Sequence, residues 1–123
     1  MVGTNDLNKS EKFYNKLLDT VGLKKIYSDE SCVGYGQKSG PEIVEFYITM
    51  PANGEPATYG NGTQIWFLSN TRAEVDKFHA TGIESGGVCE GLPGLRPEGA
   101  TTYYSYVRDL NGNKVCAYTD SKD

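Results

Sequence analysis

Thr101-Thr102-Tyr103-Tyr104-Ser105-Tyr106-Val107-Arg108-Asp109-Leu110-Asn111-Gly112-Asn113-Lys114-Val115-Cys116-Ala117-Tyr118 decides the fold. It reads as strand, tight turn, strand. The first arm is aromatic and β-branched, which suits a pleated, half-buried surface. Asn111-Gly112 is a dipeptide that tolerates positive φ and predicts a hairpin turn. The second arm alternates, placing Val115 and Ala117 on one face and Lys114, Cys116 and Tyr118 on the other.

Working outward from this hairpin, the same order of signals occurs twice. In the first half, the spacing of Asn8 and Glu11 predicts a helix start of capping-box type. Phe13, Tyr14, Leu17, Leu18 and Val21 follow with helical periodicity, and Gly22 ends the run. Strands are expected at 23–27, 31–36 and 42–50, with only residues 1–4 available for an opening strand. In the second half a strand is expected at 63–69. Thr71 and Glu74 then cap a helix carrying Val75, Phe78 and Ile83, followed by strands near 87–90, 101–109 and 114–119. The pattern is βαβββ twice. It is not the strict βα alternation of a doubly wound parallel sheet. The expected fold class is α+β: two βαβββ modules forming a curved mixed sheet around a cleft, with helices on the outside. The chain is expected to be one domain (1–123), with module one about 1–56 and module two about 57–123.

Composition narrows the function. The formal net charge is −4, and no basic run is present, which argues against nucleic acid. No stretch approaches the roughly 18 apolar residues of a membrane span. The N-terminus shows no signal peptide pattern. Cys32, Cys89 and Cys116 are widely spaced and form no CxxC pair, so a zinc ribbon is excluded. Unpaired thiols and no secretion signal point to a reduced, cytoplasmic protein. No phosphate-binding glycine loop or nucleophile elbow is present.

Several segments together resemble the vicinal oxygen chelate superfamily, which includes glyoxalases, bleomycin-resistance proteins and extradiol dioxygenases. They are Gly3-Thr4-Asn5-Asp6-Leu7 with Phe13-Tyr14, Gly60-Asn61-Gly62-Thr63, Phe78-His79-Ala80, Gly86-Gly87, Pro93-Gly94-Leu95-Arg96-Pro97, and Asp109 through Lys114. The likeness covers nearly the whole chain and is closest to a bacterial glyoxalase-like subgroup. It implies a homodimer and, in metalloenzyme members, one divalent ion held on cleft strands. Here those positions lack the usual donors. The first falls before Met1, the second is Gln64, and Cys116 stands where a glutamate is usual. Only Glu45 or Glu42 offers a carboxylate from the first module. The single histidine, His79, lies on the second helix and is expected away from the cleft. A set of Glu45, Cys116 and Gln64 is a poor one for a transition metal, so no metal or other cofactor is expected.

The expected function is therefore a superfamily protein without the usual metal site, binding a small organic ligand in an aromatic cleft. The candidate cleft residues are Gln64, Trp66, Arg96, Cys116 and Tyr118. Trp66 would stack on a flat ligand, and Arg96, the only cation of the glycine-rich segment 86–99, would meet an anionic group. The alternatives are a glyoxalase-like lyase or other enzyme using Cys116, Glu45 or Tyr103 as catalytic groups, or a degenerate dimerisation domain.

Overall fold

The structure, a computed structural model, describes all residues from Met1 to Asp123. Ten elements follow in order: β1 (Val2–Gly3), α1 (Leu7–Asp19), β2 (Leu23–Ser28), β3 (Cys32–Gln37), β4 (Phe46–Thr49), β5 (Ile65–Leu68), α2 (Arg72–Glu84), β6 (Val88–Leu95), β7 (Tyr103–Arg108) and β8 (Lys114–Thr119). This is βαβββ twice. The strands form two four-stranded sheets, ordered β1-β4-β3-β2 and β5-β8-β7-β6. In each sheet the opening strand pairs in parallel with the closing one, Val2 with Ile48 and Ile65 with Val115, and the remaining pairs are antiparallel. No helix is long and apolar enough to cross a membrane.

Helix α1 starts two residues earlier than the Asn8–Glu11 spacing predicts. Asp6 is the N-cap and its Oδ1 accepts from Lys9 N at 3.0 Å. A carboxylate there satisfies an otherwise orphaned N–H and sits favourably against the helix dipole. Glu11 instead pairs with Lys25 Nζ at 3.1 Å. Helix α2 starts as expected. Thr71 Oγ1 accepts from Glu74 N at 3.2 Å, while Glu74 Oε2 accepts from Asn70 N at 2.6 Å.

Both helices press on one face of each sheet and on each other, so one apolar cluster serves both modules. Phe13, Tyr14, Leu17 and Leu18 of α1 meet Phe46 and Ile48 of the first sheet, and Val75 and Phe78 of α2 meet Phe67, Val107 and Val115 of the second. The expected alternation in β8 holds: Val115 and Ala117 are buried against the helices, while Lys114 and Tyr118 stand on the free face.

Three strand boundaries differ from expectation. β4 is limited to Phe46–Thr49, because Ile43 and Val44 precede the paired register that starts at Tyr35–Phe46. β5 starts at Ile65, so Gln64 falls just outside it. β6 runs on to Leu95, through a segment whose Gly and Pro content reads as loop, and it keeps pairing by shifting register between Cys89 and Gly91 and again before Gly94. Gly91 is required there, since a Cβ would lie 2.8 Å from the Tyr106 ring.

The hairpin turn is also not the two-residue form that Asn111-Gly112 suggests. Only Gly112 has positive φ, at +85°, and the closing bonds run from Gly112 N to Asp109 O (3.1 Å) and from Asp109 N to Asn113 O (2.9 Å). This is a longer turn closed by one left-handed glycine. Asn111 is thereby freed to tie the turn to module one. Its Nδ2 donates to Thr4 Oγ1 (3.0 Å) and Ser10 Oγ (3.2 Å), and its Oδ1 accepts from Asn5 N at 3.0 Å.

Candidate functional site

The hairpin register fixes which side chains share the free face of the second sheet. Trp66 stands beside Cys116, and Cys116 beside Tyr106; Leu68 stands beside Tyr118, and Tyr118 beside Tyr104. Because β strands alternate, Tyr104 and Tyr106 face away from α2 while Tyr103, Ser105 and Val107 face towards it.

The result is a continuous aromatic surface. Trp66 lies 5.6 Å from Tyr104 and 5.4 Å from Tyr118, centroid to centroid. Tyr104 stacks on both Tyr106 (5.8 Å) and Tyr118 (6.0 Å). At the Tyr106 end two cations approach the ring, the Arg96 guanidinium at 5.2 Å and Lys114 Nζ at 4.9 Å. Arg96 is held by the main chain, donating to the carbonyls of Tyr104 and Leu92. Trp66 is 48% exposed and Leu68 65% exposed. A core tryptophan would be covered, so Trp66 is available as a stacking surface.

A groove of about 760 Å3 runs between the modules. Trp66, Leu68 and Tyr118 line one side, and Glu45 and Phe46 the other. Glu45 reaches it from the segment entering β4, whose backbone is fixed by Glu45 N donating to Tyr35 O at 2.8 Å.

The candidates from sequence fall into three groups. Trp66, Tyr118 and Glu45 meet in the groove. Gln64 and Arg96 do not line it; Arg96 closes the far, Tyr106 end of the aromatic surface instead. Cys116 stands on the right face but is fully buried, flanked across the sheet by Trp66 and Tyr106. Tyr103 lies on the opposite face. Its hydroxyl donates to Asp76 Oδ1 at 2.7 Å and its ring packs under Arg72, so it cannot act in the cleft. Tyr104 and Tyr106 were not singled out from sequence. The pairing of small Ser105 and apolar Val107 on the alternate positions is the signal that assigns them outward.

At the positions where the resemblance puts metal ligands stand Gln64 and Cys116, a neutral amide and a buried thiol, a poor donor set for a divalent ion. Burial pushes the Cys116 thiol up to about 12, so it stays protonated, and its Sγ–H donates to Ala117 O. Gln64 offers a neutral amide, and no three His, Cys, Asp or Glu side chains converge. No step through a metal follows from this set.

His79 is on α2 and away from the groove, but it is not idle. It is 8% exposed and its Nε2 lies 3.1 Å from Cys89 Sγ. Both lie in elements expected from sequence, but the Cys89–Val107 register that turns Cys89 towards α2 is not a local signal.

Comparison with known proteins agrees with the architecture. The family profile described as Glyoxalase/Bleomycin resistance protein/Dioxygenase superfamily matches residues 1–117. Among solved structures, a glyoxalase/bleomycin resistance protein from Albidiferax ferrireducens is 43% identical, with a TM-score of 0.83 over 97% of this chain and 93% of that one. A lactoylglutathione lyase from Agrobacterium tumefaciens is 23% identical, with a TM-score of 0.63 over 96% and 88%. A glyoxalase I mutant from Zea mays is 20% identical, with a TM-score of 0.67 over 96% of this chain and 44% of that one. The last two show likeness of fold alone. A search of curated proteins gave no match.

Proposed function

The chain belongs to the glyoxalase/bleomycin resistance protein/dioxygenase superfamily, and we propose that within it the protein is a metal-free binder of a small, flat organic molecule. The observation that carries this reading is the aromatic surface of exposed Trp66 with half-buried Tyr104 and Tyr118 beside an open groove. Apolar and aromatic walls with a few polar groups are what small-molecule sites present. Glu45 on the facing wall and Arg96 with Lys114 at the far end supply that polarity. The reading places the protein in a reducing, cytoplasmic setting, in keeping with its three free thiols.

A second copy of the chain completes the proposal. The face carrying Trp66 and Leu68 lies open to solvent, and large exposed side chains of this kind mark contact surfaces. A homodimer closing this face would enclose the ligand. Light scattering checks it, with a monomer at all working concentrations counting against it.

Trp66 is the sole tryptophan, so intrinsic fluorescence reports the site directly. A panel of flat aromatic compounds should include ligands that quench it and raise the melting temperature. Trp66→Ala should then weaken binding by roughly tenfold or more, since a stacked aromatic contributes about 1–3 kcal/mol. Elemental analysis of purified protein is the second arm. A stoichiometric, tightly held divalent ion would overturn the metal-free reading, and a panel without a single binder would remove the ligand.

A further inference from the structure

On the far side of the second sheet from the groove, a nucleophile meets a base. Cys89 on β6 is paired across strands with Val107, which is buried against α2. That register turns the Cys89 side chain towards α2, where His79 Nε2 waits at 3.1 Å from Sγ. The contact joins a nearly buried imidazole to a cysteine that is itself exposed.

Neither partner behaves as a packing residue. A structural thiol is normally among the most buried of side chains. The strand shifts register between Cys89 and Gly91, and bulges of this kind re-aim side chains rather than pack them. The other two thiols are placed very differently. Cys116 is sealed and protonated. Cys32 is held above its usual range, by desolvation first and by Asp29 beside it.

The charges near His79 come from two directions. Asp76 on α2 favours the imidazolium, while Arg96 beyond β6 opposes it; β7 contributes apolar Val107 opposite Cys89, and Tyr103, whose hydroxyl donates to Asp76. Burial, reinforced by Arg96, outweighs Asp76 and holds His79 below its ordinary value. The ring is therefore neutral near pH 7. In the tautomer with the proton on Nδ1, Nε2 presents a lone pair to the S–H across this 3.1 Å contact.

We propose that Cys89, with His79 as its general base, is a covalent modification site for uncharged conjugated carbonyl compounds. His79 Nε2 takes the S–H proton as sulfur bonds to the β-carbon of the electrophile. The C=C electron pair moves on to the carbonyl oxygen, giving an enolate. The enolate regains a proton from the His79 imidazolium at its α-carbon. One S–C bond and one C–H bond form, one C=C π bond and one S–H bond are lost, and neither oxidant nor leaving group is needed. Asp76 and Arg96 bring opposite charges to the site, so neither sign of electrophile is singled out.

The test uses N-ethylmaleimide, a conjugated imide, at less than one equivalent on the native protein, with labelled sites mapped by peptide mass spectrometry from pH 5.5 to 8.5. Cys89 should label at least tenfold faster than Cys32, with Cys116 silent. Its rate should rise with deprotonation of a group below pH 7 and then level off, where an unassisted thiol keeps rising towards about 8.5. His79→Gln should slow Cys89 at least tenfold at pH 7 and leave Cys32 unchanged. Labelling of Cys116 would reveal a misfolded variant, in which case His79→Asn and the wild-type pH profile carry the decision. A Cys89 rate equal to that of free glutathione, or one indifferent to both substitutions, overturns the proposal.

Discussion

Asp109→Ala should lower the melting temperature by about 10 °C or more, the largest loss expected from any single polar side chain in this protein. The carboxylate is buried in the turn of the closing hairpin and accepts four hydrogen bonds. Oδ1 takes the backbone N–H groups of Asn111 and Asn113, both at 2.9 Å. Oδ2 takes Asn113 Nδ2 at 2.9 Å and the Tyr14 hydroxyl, from α1 of the other module, at 2.6 Å. Alanine would leave these donors without a partner in a place water reaches poorly. Stranding a buried donor costs about 1–3 kcal/mol, and four lose their acceptor here, so the loss far exceeds that of a surface pair. A calorimetric melt checks this, and a shift of only a degree or two would show that water replaces the carboxylate.

The same bond gives stability a pH dependence on the alkaline side. Burial above all, with Asp109 beside it, holds the Tyr14 phenol well above its usual value. Below about pH 10 both folded and unfolded chains keep this proton, and the contribution is fully present. As pH rises further, the unfolded tyrosine ionises while the folded one resists. Stability then falls by about 1.4 kcal/mol per pH unit until the folded phenol ionises too. Tyr35 is raised in the same sense by burial and adds to the fall. Tyr14→Phe should cost some stability at pH 7 but flatten the alkaline arm. An unchanged slope in that variant would assign the effect to other groups.

How much of this was legible in sequence depended on whether the signal was local. Alternation in β8 and the Thr71–Glu74 spacing are local, and both elements are as read. The start of α1 was misplaced by one signal competing with another: Asp6 and Asn8 are both good caps, and only Asp6 has the extended backbone, at φ −146°, that a cap requires. The strand expected near 87–90 is present, but its continuation to Leu95 was hidden because Gly91, Pro93 and Gly94 carry a loop's composition. They are tolerated in a strand here because the register shifts twice and because Gly91 makes room for Tyr106. At the site, Trp66 and Tyr118 were readable as a pair from strand alternation. Tyr103 was not separable from its neighbours, since a shift of one residue exchanges the faces, and the register depends on a turn whose form Gly112 alone determines. The His79–Cys89 pair was beyond reach, because it depends on which face of the 87–90 strand meets α2, and the Cys89–Val107 register decides that.

Phe46→Ala should destabilise both modules together, by about 3–5 kcal/mol. Phe46 is the aromatic hinge of the shared core. Its ring meets Tyr14 of α1 at 5.2 Å, Tyr35 of the same sheet at 6.3 Å and, edge to face, Phe67 of the second sheet at 5.1 Å. Removing it opens a cavity that borders both sheets, and close-packed cores relax only partly into such space. We propose on this basis that the chain is one cooperative unit rather than two independently stable modules. Each module alone would leave its half of the cluster exposed, and a unit of about 60 residues has little core to spare. Amide exchange distinguishes the alternatives. In a single unit the most protected amides of β3 and of β8 open only by global unfolding, so Phe46→Ala should speed both by the same factor, roughly 10²-fold or more. If β3 exchanged faster while β8 kept its protection, the second module would be stable without the first. The Tyr14–Asp109 bond and the Asn111 contacts to Thr4 and Ser10 would then be tethers between two domains, not parts of one core.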